Sequence, residues 1–248
     1  MIGIICATDD EILHLLGDML GSSETIIGIR KFYSGSLYGK NAVLVRSNVG
    51  KTAAAVTVAI IAEHFHVDGI IFTGMAGAVA DELSLGDAVV ATSLVQHDFR
   101  LFGEYPAKIP YLGKAYFECD ERLSDASFLA AEKYLTSGYK SDIPENILHK
   151  FKIVAPKVFR GIIASGDEFI SDSAKKEAIR SAMAPICVEM EGAAAAQASY
   201  ELSIPIAVIR IISDAADEDS EYSYNSFVEQ ASSLFTRGII RELLSKEL

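Results

Sequence analysis

Short continuous runs of apolar residues recur along the chain, separated by stretches in which apolar side chains return every three or four positions. Continuous runs mark strands buried on both faces, and the three-to-four spacing marks helices with one buried side. Residues 2–7 form the first such run, and Asp9 then caps a helix with Ile12, Leu13, Leu15, Leu16 and Leu20 as its apolar side. Glu11 therefore falls in a first helical turn, just past a strand end. Strands over 25–34 and 41–47, joined by the turn Leu37-Tyr38-Gly39-Lys40, predict an antiparallel portion.

From Gly50 the pattern changes. A helix over 50–64 leads to a buried strand over 67–73, which runs into the loop Gly74-Met75-Ala76-Gly77-Ala78, a β-helix-β unit with a glycine-containing turn. A strand over 86–95 enters a polar, aromatic loop over 96–117, long enough to read as functional or mobile. A helix over 123–135, a polar linker to Lys152 and a strand over 158–164 bring the chain to Ser165-Gly166-Asp167-Glu168-Phe169-Ile170. Then come a helix (173–183), a strand (186–189), a helix (190–202), a strand (204–212), an acidic loop (213–222) and a final helix with Phe227, Ala231, Leu234, Phe235 and Ile239 on one face. There is no internal repeat, and the alternation predicts an α/β sandwich with a largely parallel or mixed sheet.

Composition narrows the class. The chain has 248 residues, half of them hydrophobic, enough for a sizeable core in a single domain over 1–248. Its formal charge of −12, with no cluster of Lys and Arg, argues against a nucleic-acid or anionic-membrane surface. Cys6, Cys119 and Cys187 lie far apart and form no C-x-x-C pair, which suits a reducing compartment and argues against a metal site. The N-terminal run has no basic region, and the apolar stretch 53–62 is cut by Glu63 and His64, short of the ~20 residues of a membrane span. The expectation is a cytoplasmic protein.

Four acidic residues, Glu11, Glu189, Glu191 and Asp214, stand just past apolar strands. Singly each reads as a cap or a solvated loop residue. Gathered at strand ends, where open α/β sheets bind ligands, they fit acid and base work, because burial and like-charged neighbours push carboxyl pKa values apart. Arg210, inside an otherwise apolar strand, should pair with a carboxylate or face a ligand. No G-x-G-x-x-G follows the first strand, so a dinucleotide-binding signature is missing.

Several segments in order carry a resemblance: Gly3-Ile4-Ile5 through Glu11, Asn48-Val49-Gly50-Lys51, Thr73-Gly74 with Ala76-Gly77, Ser165-Gly166-Asp167 with Phe169-Ile170, Val188-Glu189-Met190-Glu191, and Arg210 with Ile212-Ser213-Asp214. Together they resemble the 5′-methylthioadenosine/S-adenosylhomocysteine nucleosidase family of the purine-nucleoside-phosphorylase-like superfamily, essentially end to end. The resemblance implies a three-layer α/β/α sandwich with a central mixed sheet. It implies hydrolysis of the bond between adenine and a thioribose, without metal or cofactor, in a protein that is usually a homodimer.

Asp214 is then the general acid that protonates the leaving base, and Glu11 activates the attacking water. Glu191 and Met190 hold the ribose, Phe169 stacks on adenine, the Ile170 backbone reads its edge, Arg210 orients the carboxylates and Tyr224 lies near the sugar. Val49, Met75 and Ser213 complete the expected contacts. Glu189 is a support or a capping residue.

Two departures from that pattern stand out. Met75 occupies a place where the family usually has serine, and the segment 100–117, near the expected tail pocket, differs. Phosphate-dependent phosphorylases of the same superfamily are the nearest rival, but the places where they carry arginines hold Thr8-Asp9-Asp10 and Phe72 here. A related hydrolase acting on aminodeoxyfutalosine is an alternative. A non-catalytic nucleoside binder fits poorly, since binding alone needs no water-activating base.

Overall fold

The computed structural model describes residues 1–245. β1 (Ile2–Cys6) is buried along its whole length because its side chains alternate between two apolar cores, Ile4 and Cys6 entering one and Ile5 the other. It lies parallel between β4 (Lys40–Arg46) and β5 (Gly69–Ala78). Beyond β4 the sheet continues as an antiparallel meander through β3 (Arg30–Leu37) to β2 (Leu20–Ile27).

On the other side the sheet closes on itself. β5 runs parallel to β10 (Ile206–Asp214), which pairs antiparallel with β6 (Ala88–Gln96). β6 is parallel to β8 (Val158–Ser165), and its outer end also pairs with β7 (Tyr116–Glu118). β8 is parallel to β9 (Cys187–Glu189), whose Val188 pairs back to Gly77 of β5. Because β9 has only three residues, its carboxyl end meets those of β5, β8 and β10 around one point.

Helices cover both faces. α2 (Lys51–Phe65) and α7 (Gly192–Glu201) pack together on one, where Ala54, Val58 and Ile61 meet Ala193, Ala195 and Ala196 in a core that small side chains allow to be thin. α1 (Asp9–Asp18), α3 (Glu121–Lys133) and α9 (Ser233–Leu244) cover the other. The architecture is the expected α/β/α sandwich with a mixed sheet. α6 (Ser173–Met183) has the expected bounds. Among the described residues no helix is long and apolar enough to cross a membrane.

Several local expectations are corrected. The predicted strand 25–34 is two strands, broken where Gly28 takes φ +61°. Leu20 starts β2 and is exposed instead of lying on α1, and Leu13 is exposed as well. The cap of α1 is Thr8: its hydroxyl accepts the Glu11 N–H while the Glu11 carboxylate accepts the Thr8 N–H, a reciprocal box. The glycine loop 74–78 is the end of a ten-residue strand. Its glycines serve close packing, for a Cβ on Gly74 would lie 2.9 Å from Glu11 Oε1 and one on Gly77 2.6 Å from Asp214 Oδ1.

The polar linker is largely helical, with a wide turn at Tyr134–Gly138, α4 (Tyr139–Asp142) and α5 (Glu145–Lys150). Asp214 closes β10 rather than opening a loop, so the acidic loop expected over 213–222 shrinks to 215–219, and residues 220–222 start α8 (Ser220–Phe227), which joins α9 through a second wide turn, Val228–Ser232.

Phe235 is fully buried, stacked on Phe227 with ring centres 5.9 Å apart and edge-on to Tyr134 at 6.4 Å. Phe235→Ala should destabilise the protein by ~3–5 kcal/mol, a fall in thermal midpoint on the order of 10 °C for a chain of this size. A shift of a degree or two would show that this aromatic cluster is not part of the rigid core.

Candidate active site

One cavity opens where the strand ends converge, lined among others by Glu11, Met75, Phe169, Glu191, Asp214 and Tyr224. Each side chain arrives for a local reason. Glu11 sits at the third position of α1, so the capping box turns its carboxylate back over the end of β1: Oε2 accepts the N–H groups of Ala7 (2.8 Å) and Thr8 (3.0 Å), and Oε1 that of Met75 (3.2 Å). Glu191 is the residue that precedes α7, and its Oε1 accepts the Gly50 N–H at 2.8 Å. Asp214 ends β10, with Oδ1 accepting the Ala216 N–H and Oδ2 the Ser213 hydroxyl, both at 2.9 Å. Phe169 and Ile170 come from the loop after β8, and the Tyr224 ring of α8 lies edge-on to Phe169, centres 5.5 Å apart.

Behind this cavity lies a buried ion pair. The Arg210 guanidinium, 1 % exposed, directs Nε (3.0 Å) and Nη2 at Glu189 Oε2 and stands 4.0 Å from Glu191. It rests on the Phe72 ring, 4.7 Å from the centroid, and Nη1 donates to the carbonyls of Ile209 (3.2 Å) and Phe72. Glu189 also accepts the Gly192 and Glu191 N–H groups and the Ser165 hydroxyl, while Ser165 Oγ accepts the Ala193 N–H at 2.7 Å. The first N–H groups of α7 are thus satisfied from other strands.

Glu11, Glu191 and Asp214 are all shifted upward. Burial raises Glu11, and Arg210 and the three backbone donors only partly offset it. Burial, then the Glu189 charge, pushes Glu191 up to about 8. Burial raises Asp214 against its Ala216 and Ser213 hydrogen bonds. Carboxyl groups shifted in this direction hold a proton to higher pH than free ones do, which suits acid–base chemistry.

Nine of the eleven expected residues line this cavity: Glu11, Val49, Met75, Phe169, Ile170, Met190, Glu191, Asp214 and Tyr224. Arg210 and Ser213 lie outside the lining: Arg210 is engaged by the Glu189 carboxylate and stands near Glu191, in keeping with its expected place among the carboxylates, and the Ser213 hydroxyl turns to Asp214 and the Ala76 carbonyl. Thr8, Glu168, Val188 and Glu189 are among the lining residues outside the expected set, although the Thr8-x-x-Glu11 spacing announces the capping box that places the first. Among the described residues no group of three or more His, Cys, Asp and Glu side chains is placed to hold a metal ion.

Comparison with known proteins gives a consistent picture. The model of the phosphorylase superfamily matches residues 1–245. The 5′-methylthioadenosine/S-adenosylhomocysteine nucleosidase of Anoxybacillus flavithermus is 35 % identical over 93 % of this chain and 92 % of its own, and that of Geobacillus kaustophilus 34 % identical over 92 % and 90 %. The crystal structure of the Neisseria meningitidis nucleosidase of the same name, in complex with methylthio-immucillin-A, superposes with a TM-score of 0.85 at 31 % identity, covering 98 % of each chain. A futalosine hydrolase mutant of Helicobacter pylori superposes with a TM-score of 0.82 at 28 % identity, over 98 % of this chain and 97 % of its own.

The raised Glu191 group has a thermodynamic consequence. A carboxyl whose folded pKa lies above its ordinary 4.5 binds its proton more tightly in the folded state, so its contribution to stability is full below that value and is lost as pH rises toward about 8. Glu191→Gln keeps an acceptor for Gly50 and should melt higher than the parent at pH 8, with the difference vanishing near pH 4.5. Thermal scans across that range test it, and a difference of the same size at both ends would show that ionisation of Glu191 is not the cause.

Proposed function

The chain belongs to the phosphorylase superfamily and, within it, to the 5′-methylthioadenosine/S-adenosylhomocysteine nucleosidases, and from that premise we propose that it hydrolyses the N-glycosidic bond of these two nucleosides. The products are adenine and the corresponding thioribose. The observation that carries this reading is the convergence of Glu11, Glu191 and Asp214 on one cavity with no Lys or Arg among its lining residues.

That charge pattern separates water from phosphate as the nucleophile. A phosphate anion needs cations to neutralise it and would face the carboxyl groups of Glu11, Glu168, Glu189, Glu191 and Asp214 here. Arg210 does not serve, being buried behind Glu189. Water needs a base, and Glu11, held by three backbone N–H groups with its affinity for protons raised by burial, is the group we assign to it.

Asp214 is the assigned acid. Its raised pKa favours a carboxyl that carries a proton for a ring nitrogen of the purine, so that the base leaves neutral. Glu191 and Met190 are assigned to the ribose. Phe169, partly exposed and braced by Tyr224, is assigned to stack on the base, with the Ile170 backbone reading its edge. Met75 offers its backbone N–H to Glu11 and its side chain to the cavity wall, where the family usually has a hydroxyl.

The same reading includes a homodimer in the cytoplasm serving methionine salvage. The fully exposed Phe102 and Tyr111 of the segment 97–115 are apolar surface that a second copy would cover. The likeness to a futalosine hydrolase keeps aminodeoxyfutalosine as the alternative substrate.

Adenine release from methylthioadenosine, S-adenosylhomocysteine and aminodeoxyfutalosine, with and without phosphate, tests the proposal. Release from the first two without phosphate is expected, and a phosphate requirement would refute hydrolysis. Asp214→Asn should retain substrate binding and lose ~10²- to 10⁴-fold in kcat, the usual range for removing a general acid. Near-normal turnover would remove Asp214 from that role.

A further inference from the structure

The nucleosidase reading gives no role to two residues of the sequence segments that point to it: Lys51, in Asn48-Val49-Gly50-Lys51, and Asp167, in Ser165-Gly166-Asp167. Neither lines the catalytic cavity. The structure joins them. α2 has no capping side chain of its own, and its first two N–H groups go to two different carboxylates: Gly50 to Glu191 Oε1 and Lys51 to Asp167 Oδ1, both at 2.8 Å. Gly50 has φ +98°, and a Cβ there would lie 3.0 Å from Asp167 Oδ1, so glycine is needed for this approach.

Asp98, just after β6, closes the arrangement. Its Oδ1 takes the Lys51 ammonium at 2.6 Å and its Oδ2 the Asp167 N–H at 2.9 Å, while Lys51 Nζ also donates to Gln96 Oε1 at 3.0 Å. The pair is mostly shielded, with side chains 16 % and 30 % exposed. One residue earlier the loop is pinned again. Gly166 donates to the Glu189 carbonyl, and the buried His97 imidazole packs against the face of Gly166 where any side chain would collide. Two residues later, Phe169 and Ile170 enter the cavity.

We propose that Lys51 and Asp98 are positioning residues that latch the purine-binding loop to the start of α2 and so fix the distance between the base contacts at Phe169 and Ile170 and the ribose contact at Glu191. The latch acts on substrate through Asp167 and the loop, and reaches neither the acid Asp214 nor the base Glu11. Contacts to the purine that are equally good before and during bond cleavage set binding and leave the chemical step alone. Loosening the latch therefore weakens affinity for everything that contains the base.

The proposal rests on the nucleosidase assignment, and its test separates the two. Adenine release by the unaltered protein checks the assignment, whereas the ratio of variant to parent checks the latch. Lys51→Met should raise KM for methylthioadenosine and the calorimetric Kd for free adenine together, each by about tenfold, with kcat within about twofold. Lys51→Arg, which keeps the charge, should recover most of that loss. Asp98→Asn should resemble Lys51→Met, and the double variant should be no worse than either single one, because both remove the same interaction. Unchanged adenine affinity in Lys51→Met, a fall in kcat with adenine binding intact, or fully additive effects in the double variant would each overturn the latch, as would failure of the parent to bind adenine.

Discussion

A buried arginine must be paired or it unfolds its surroundings, and here the pairing of Arg210 with Glu189 ties together three strands and the start of one helix beside the cavity. Arg210 belongs to β10, while Glu189 ends β9 and at the same time accepts hydrogen bonds from Ser165 of β8 and from the first N–H groups of α7. Four elements are held by one carboxylate. Removing either partner would strand a charge in the interior, whereas the intact pair satisfies the helix end and the strand end together. The position of Glu191 follows from this, because its own N–H is one of those that Glu189 accepts.

Closure of the sheet supplies the second constraint. β5 is shared by β1, β10 and β9, so its carboxyl end is crowded by carboxylates on either side. Gly74 makes room for Glu11 and Arg210, and Gly77 for Asp214. The acid and the base of the proposed reaction can approach a single substrate from two sides because the strand between them has no side chain at those two positions. The glycines and the carboxylates are two halves of one packing solution.

The same two constraints decide which parts of the molecule are legible in the sequence. Strands buried on both faces, such as β1 and β10, announce themselves as continuous apolar runs, and the bounds of α6 agree with the helix expected over 173–183. Gly74 to Ala78 reads as a turn because glycine signals turns locally, while its actual reason, close approach of side chains distant in sequence, has no local signature. The anomaly of Arg210 in an apolar strand is visible and points to a carboxylate partner, but a pattern of residues does not say which carboxylate it chooses, nor that the Ser213 hydroxyl turns to Asp214. Glu189 reads as a support or a capping residue, and only its hydrogen bonds reveal that it accepts both the Arg210 guanidinium and the N–H groups at the start of α7. The helices of 134–150 escape sequence reading because their polar composition resembles a linker, and their stability comes from contacts such as those of the buried Tyr134 and Tyr139 rings.

The charge distribution left after Arg210 is committed to Glu189 decides what the cavity can do. Glu11, Glu191 and Asp214 share a poorly solvated space in which full ionisation of all three is opposed, and burial raises the proton affinity of each. An environment of this kind repels anionic nucleophiles and stabilises positive charge. In the proposed reaction positive charge grows on the ribosyl carbon as the base departs, which is the change such a cavity favours, and the entering nucleophile is neutral water. Phosphorolysis on the same scaffold would need the opposite arrangement, with cations facing inward. The turn of Arg210 toward Glu189 and away from the substrate therefore bears on the choice of reaction as much as on the fold.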